Sequence, residues 1–235
     1  SLTDENRTLV KFGLEILKST ERIGLEALIK IAGVDKHSLT EESIGFQIAP
    51  RLNALGRLDD PNPAIDLLTG WDEAETQQIA EMIDQKNQER KEIVAKMLVE
   101  AESQLDDSPV QFIYQPGWHP GVLGIVAGQL VQKTGKPIVM LTEEAGILKG
   151  SARSIPAFDI FSALSAHHDL FIAFGGHAQA AGMTFDLTNL PAIKAVIAAF
   201  IAIIERLINV ADPLYRSAST FLNPLYFSYF IALAA

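Results

Sequence analysis

At 235 residues, 48% of them hydrophobic, the chain is long enough for one large domain or two small ones around a buried core, which excludes a disordered polypeptide. It contains no cysteine, which excludes a disulfide framework and a thiolate metal site and fits a reducing, cytoplasmic compartment. The net charge of −10 argues against a protein that coats nucleic acid non-specifically; residues 1–109 carry 22 acidic and 12 basic side chains, whereas residues 110–235 carry 7 of each. An anion site in the second part must therefore be built from a few aimed groups.

The N-terminus shows no basic segment followed by an apolar one, and the longest apolar run, Ala195 to Ile204, is short of the roughly 20 residues that span a bilayer. A soluble protein without a membrane partner is expected. Thr3 can cap a helix whose apolar residues Leu9, Phe12, Ile16 and Leu17 recur at helical spacing. Leu25, Leu28, Ile29 and Ala32 repeat the pattern until Gly33 stops it; both read as packing helices. A third helix starts at Thr40 in "TEESIGFQIAPRLNALGR", where Pro50 predicts a kink, with the chain resuming or turning through Arg51 to Gly56. "NPAIDLLTG" reads as a short helix with Asn62 as cap, Pro63 in its first turn and Gly70 after its end.

Asp72 and Glu75 then form a capping-box variant that opens a segment without Gly or Pro to about Gln104. Its middle, "DQKNQERKE", is polar all round, which predicts a helix bridging through solvent, with a boundary at Ser103 to Pro109. From Val110 the period changes. "VQFIY", "PIVML", "GILKGSARS" and "GMTFDL" read as strands, and 121–134, 158–166 and 190–207 as helices. The fold class is α/β: a helical region (1–71), a long connecting helix and linker (72–109), an α/β domain with a mixed sheet (110–210) and an irregular apolar tail (211–235).

Chemistry-bearing residues fall in four places. "PGWHPGVLGIVAG" puts His119 between Trp118 and Pro120, where a strand end enters a helix; the histidine either meets an anion at the helix N-terminus or belongs to a turn held by Trp118. "GSARS" brings Ser151, Arg153 and Ser154 together, and a guanidinium fork with hydroxyls suits phosphate oxygens. In "FGGHAQAAGM", a helix beginning at Gly176 or His177 would present free N–H groups, with Gly175 and Gly176 letting a ligand approach; the alternative is a tight turn with a small-residue packing face. "PRLNALGR" carries Arg51, Asn53 and Arg57, which bind phosphate or pair with Asp59, Asp60 and Asp66; composition favours ion pairing. "HHD" at His167 to Asp169 reads as a helix end.

"PRLNALGR", the long charged helix, "GWHPGVLGIVAG", "GSARSIPAFDIFSAL" and "FGGHAQAAGM", in this order, closely resemble the bacterial RecJ family of the DHH phosphoesterase superfamily over about residues 1 to 187. The resemblance implies a two-lobed exonuclease that degrades single-stranded DNA from the 5′ end in recombination and repair, using Mn²⁺ or Mg²⁺, with a helicase or single-strand-binding protein as possible partners. It implies that residues 110 to 187 are the DHH-associated domain. Ser151, Arg153 and His177 would there be phosphate or substrate ligands, and Arg51, Asn53 and Arg57 would line an interdomain groove.

The sequence also departs from that pattern. It has no D-H-H triplet and no aspartates at ligand spacing, so the two-metal centre would lie in an N-terminal DHH domain absent from this chain. The chain alone is expected to bind no metal and to be inactive, as a C-terminal fragment. At its other end an OB-fold would be expected, whereas 214–235 offers one cation and the aromatics Phe221, Tyr226, Phe227, Tyr229 and Phe230 for stacking, packing or a dimer contact. The alternatives are an oligoribonuclease or cyclic-dinucleotide phosphodiesterase of the same superfamily, and a non-catalytic nucleic-acid-binding module.

Overall fold

The apolar spacing of the first 70 residues forms helices α1 (Asp4–Lys18), α2 (Ile23–Ile31), α3 (Ala49–Leu58) and α4 (Asn62–Thr69) in a computed structural model that describes residues 3–210, with side chains through residue 203. The tail aromatics lie outside the described residues. The chain divides into two units, Ser1–Ala95 and Lys96–Ala235. In the first, Leu28, Ile29, Leu39, Leu55, Leu67 and Ile83 form the core, and Gly33 ends the α2 segment with a φ of +69°. Leu14 and Leu17 pack against that core, but Leu9, Phe12 and Ile16 stand 70%, 62% and 69% exposed. Helix α1 carries two apolar stripes, and only one of them meets the core.

The chain stays helical through Pro50 and resumes as α3. A π-helical segment (Ser43–Ile48) runs directly into α3, placing Pro50 in the first turn of that helix. A proline there needs no helical N–H, and the wider preceding turn leaves room for its ring. The Gln47 carbonyl accepts from the Arg51 side chain, Nη1 at 2.5 Å. Asn62 is the first residue of α4 rather than its cap.

Helix α5 (Glu73–Glu102) starts as its sequence predicts, with the Asp72 carboxylate accepting from the Glu75 N–H at 2.8 Å. It is not polar all round in its surroundings. Thr76, Ala80, Ile83, Asn87, Val94, Met97 and Ala101 are buried at spacings of three, four or seven, and Asn87 in the supposedly solvated middle is 1% exposed. The Asn87 amide oxygen accepts from Arg90 Nε and Nη2 at 3.3 and 3.0 Å, which satisfies a polar group that hydropathy alone assigns to water.

Among the described residues the second unit is built on five strands, β1 (Gln111–Tyr114), β2 (Ile138–Glu144), β3 (Ile147–Arg153), β4 (Ala173–His177) and β5 (Ala180–Asp186), in the order β1-β2-β3-β5-β4. Only β1 and β2 are parallel; the connection between them carries helix α6 (Leu123–Thr134). Ala145 and Gly146 join β2 to β3 with φ of +50° and +82°, the two-residue turn whose twist matches a hairpin. Side chains alternate across the pleat. On one face Val139, Leu141, Leu148, Ala152, Ala181, Met183 and Phe185 form a core with α7 (Ile160–Ser165) and α8 (Leu190–Val210). On the other, α6 packs over β2 and β3.

The "FGGH" segment is strand β4, not the start of a helix. Gly176 shows why a glycine is needed in it. A Cβ there would stand 2.2 Å from the Ala180 carbonyl oxygen and 2.6 Å from the Ala181 Cα, so only a bare backbone lets β4 close on β5. The hairpin tip is fixed from outside: the Ser154 N–H donates to the Gln179 carbonyl at 2.9 Å and the Ile160 N–H to the Ala178 carbonyl at 3.1 Å.

Candidate nucleic-acid site

Strand register brings distant residues into rows. Arg153 pairs with Ala180, and Ala180 with His177, so these three positions share one row and one face of the sheet although 24 residues separate Arg153 from His177. Two strand spacings put their backbones roughly 10 Å apart. The next row is Ser151, Gly182 and Gly175, and the one after it Lys149, Thr184 and Ala173. All of these lie on the α6 face. Over β5 and β4 that face is open: Ala173, Gly175, His177 and Gly182 are exposed, and a Cβ added at Gly175 or Gly182 would meet nothing within 4 Å.

The polar groups of these rows are held in place. Arg153 Nη1 donates to Ser151 Oγ at 3.1 Å and to the Ala152 carbonyl at 2.8 Å, which folds the guanidinium back along β3 beside the first turn of α6. Lys149 pairs with Glu144 at 3.2 Å on the exposed rim. Ser154, a candidate ligand by sequence, is buried: its hydroxyl donates to the Phe158 carbonyl at 2.6 Å and its N–H is taken by the hairpin tip. It holds the loop after β3 rather than facing solvent.

His119 caps a 3₁₀ turn (Pro120–Val122), its Nδ1 accepting from the Gly121 N–H at 3.2 Å, which places the remaining ring proton on Nε2. Trp118 beside it is 6% exposed and donates its indole N–H to Glu100 at 2.6 Å. These bonds make the loop a structured turn.

In the first unit, Arg51 Nε donates to Asp84 at 2.8 Å, with 12% and 25% of the two side chains exposed. Ion pairing is the outcome that composition favours, but with a carboxylate 33 residues away instead of Asp59, Asp60 or Asp66. Asp59 pairs with Lys86 at 3.3 Å; its carboxyl is held below the usual range by the Asp60 N–H first and Lys86 second. Asn53 and Arg57 are exposed one helical turn apart on α3. Burial first, and the neighbouring Arg57 second, hold the Arg90 guanidinium below its ordinary value. Asp84→Asn removes the charge that pairs with Arg51 and is expected to lower stability by about 1 kcal/mol in urea denaturation, without changing the β-rich unit.

Sequence reasoning missed Gly182, Lys149 and Gly124. Gly182 sits in "AQAAGM" as one small residue among several, and only the cross-strand partner Gly175 makes it part of an open floor. Among the described residues no group of three or more His, Asp or Glu side chains could hold a metal ion, and no helix is long and apolar enough to cross a membrane.

Residues 107–203 match the family described as the DHHA1 domain. These residues are a DHHA1 domain. The chain is 46% identical over 200 residues to the single-stranded-DNA-specific exonuclease RecJ of Bacillus subtilis, covering 83% of this chain and 25% of that protein. It is 33% identical over 198 residues to RecJ of Thermus thermophilus, covering 84% of this chain and 29% of that one. The Thermus RecJ structure in complex with Mg²⁺ superposes with a TM-score of 0.78 at 33% identity, over 86% of this chain and 32% of that one. A RecJ structure bound to manganese superposes at 0.73 over 51% of its length. The chain thus spans a quarter to a third of the length of the curated relatives it matches, and the DHHA1 domain carries the open face described above.

Proposed function

We propose that this chain is the substrate-binding part of a single-strand-specific 5′→3′ exonuclease of DNA recombination and repair, acting in the cytoplasm. The observation that carries the reading is the DHHA1 face that is open over β5 and β4 and edged by α6 at β3, where Arg153, Ser151 and His177 share two adjacent rows with a floor without side chains at Gly175 and Gly182. A guanidinium fork and a hydroxyl complement phosphate oxygens, and a glycine floor admits a strand close to the backbone. The 46% identity to a RecJ supports the choice of single-stranded DNA as that strand. A helicase or a single-strand-binding protein would be its working partners, and Asn53 and Arg57 a further contact with the strand.

The divalent cation that accompanies RecJ in three of its structures would supply an activated water for phosphodiester hydrolysis. The described residues offer it no donor set. What this chain does is hold and orient the strand: Arg153 and Ser151 at the phosphates, His177 at the same row, the glycines below. Incubated with single-stranded DNA and Mn²⁺ or Mg²⁺, the chain alone is expected to release no nucleotide in a chelator-sensitive manner.

Fluorescence anisotropy of a labelled oligo-dT 12-mer at several salt concentrations tests the reading. With net charge −10 and only a few aimed cations, binding should be weak, and log affinity should fall with log salt at about −0.7 per phosphate engaged, for a slope of roughly −1.4 to −2. Salt-insensitive binding, or equal affinity for a duplex of the same length, overturns it.

A further inference from the structure

Gly124 occupies the second position of α6, although alanine is the better helix former. Its surroundings give the reason for this choice. A Cβ there would stand 2.7 Å from Arg153 Nη2, 3.2 Å from Arg153 Cζ and 2.9 Å from Ser151 Oγ. No real Cβ tolerates the first or last of these distances. The atoms in the way are the ends of two side chains and not backbone, so a methyl group would leave the helix on the sheet and move the guanidinium and the hydroxyl.

We propose that Gly124 is a positioning residue for the anion site: the bare first turn of α6 is the wall against which the Arg153 fork is laid flat, with Nη1 on Ser151 Oγ and Nη2 against Gly124. This rests on the reading of Arg153 and Ser151 as phosphate ligands. A planar fork binds two oxygens only in one orientation, so a displaced guanidinium loses the geometry that distinguishes it from a lysine head. Gly128, one turn further along the same helix, is the matched control, because a Cβ there meets nothing within 4 Å.

Gly124→Ala, Gly128→Ala, Arg153→Ala and Gly124→Ala/Arg153→Ala in the 235-residue chain, each titrated against the labelled oligo-dT 12-mer and melted, test the proposal. Arg153→Ala should weaken binding by about 10- to 150-fold, the equivalent of one or more charge-assisted hydrogen bonds. Gly124→Ala should lose at least about tenfold with an unchanged or higher melting temperature, Gly128→Ala nothing, and the double variant no more than Arg153→Ala alone. If Arg153→Ala binds like the parent, the reading of the site fails. If Arg153→Ala is weakened but Gly124→Ala is not, or if Gly124→Ala costs as much with Arg153 absent as with it present, the positioning role fails and the reading stands. Loss of the fold in Gly124→Ala that is regained when Arg153 is also removed supports the same steric pairing; loss in both overturns it.

Discussion

Arg153→Ala and His177→Ala are each expected to weaken single-strand binding while leaving the domain folded, and the double variant should lose less than the sum of the two. Arg153 is half-buried and its fork is already fixed on Ser151 Oγ and the Ala152 carbonyl, so little side-chain entropy remains to be lost on binding. A charge-assisted hydrogen bond contributes about 1.5–3 kcal/mol, which makes the Arg153 loss about 10- to 150-fold. His177 is exposed and should contribute less. Both residues stand on the same face and in the same row, with only Ala180 between them, so on the proposed reading one phosphate above Ala180 would engage both. Two independent phosphates would give additive losses, within about 0.5 kcal/mol, and an additive cycle measured by anisotropy would refute the shared anion.

The register that makes this row was only partly legible beforehand. The "GSARS" strand, its guanidinium and the helices around it follow from local period and residue type. Strand β4 does not: two glycines and a histidine carry no alternation, and the Ala178–Gln179 tip lacks the Asn-Gly or Asp-Gly signature of a tight hairpin. Contacts far away in sequence fix it, the N–H groups of Ser154 and Ile160 on the two tip carbonyls. The same limitation appears in the first unit. Arg51 has three aspartates within 15 residues in sequence, yet its partner is Asp84 on another helix, and Asn87 is polar but buried because Arg90 satisfies it. Local pattern identifies which groups must find partners, and tertiary packing decides which partners they find.

Gly182 and Gly176 should respond to substitution in opposite ways, which separates the floor of the site from the frame that holds it. Gly182→Val places a β-branched side chain where a Cβ meets nothing, and the change from glycine in a strand favours the fold by up to about 1 kcal/mol. Its melting temperature should not fall. Its two methyl groups, however, stand between Ser151 and Gly175, and a strand lifted off that floor loses reach to the Ser151 hydroxyl and the Arg153 fork beside it. Affinity for the oligo-dT 12-mer is expected to drop by about 10- to 150-fold, as for Arg153→Ala, because the same bonds are lost. Gly176→Ala acts on the other side of the balance. Its Cβ collides with the backbone of Ala180 and Ala181, so β4 must separate from β5 and the domain melts at lower temperature. A Gly182→Val chain that binds the oligonucleotide like the parent, while melting no lower, would show that the strand does not cross this face and would reduce the paired glycines to an accident of the sheet.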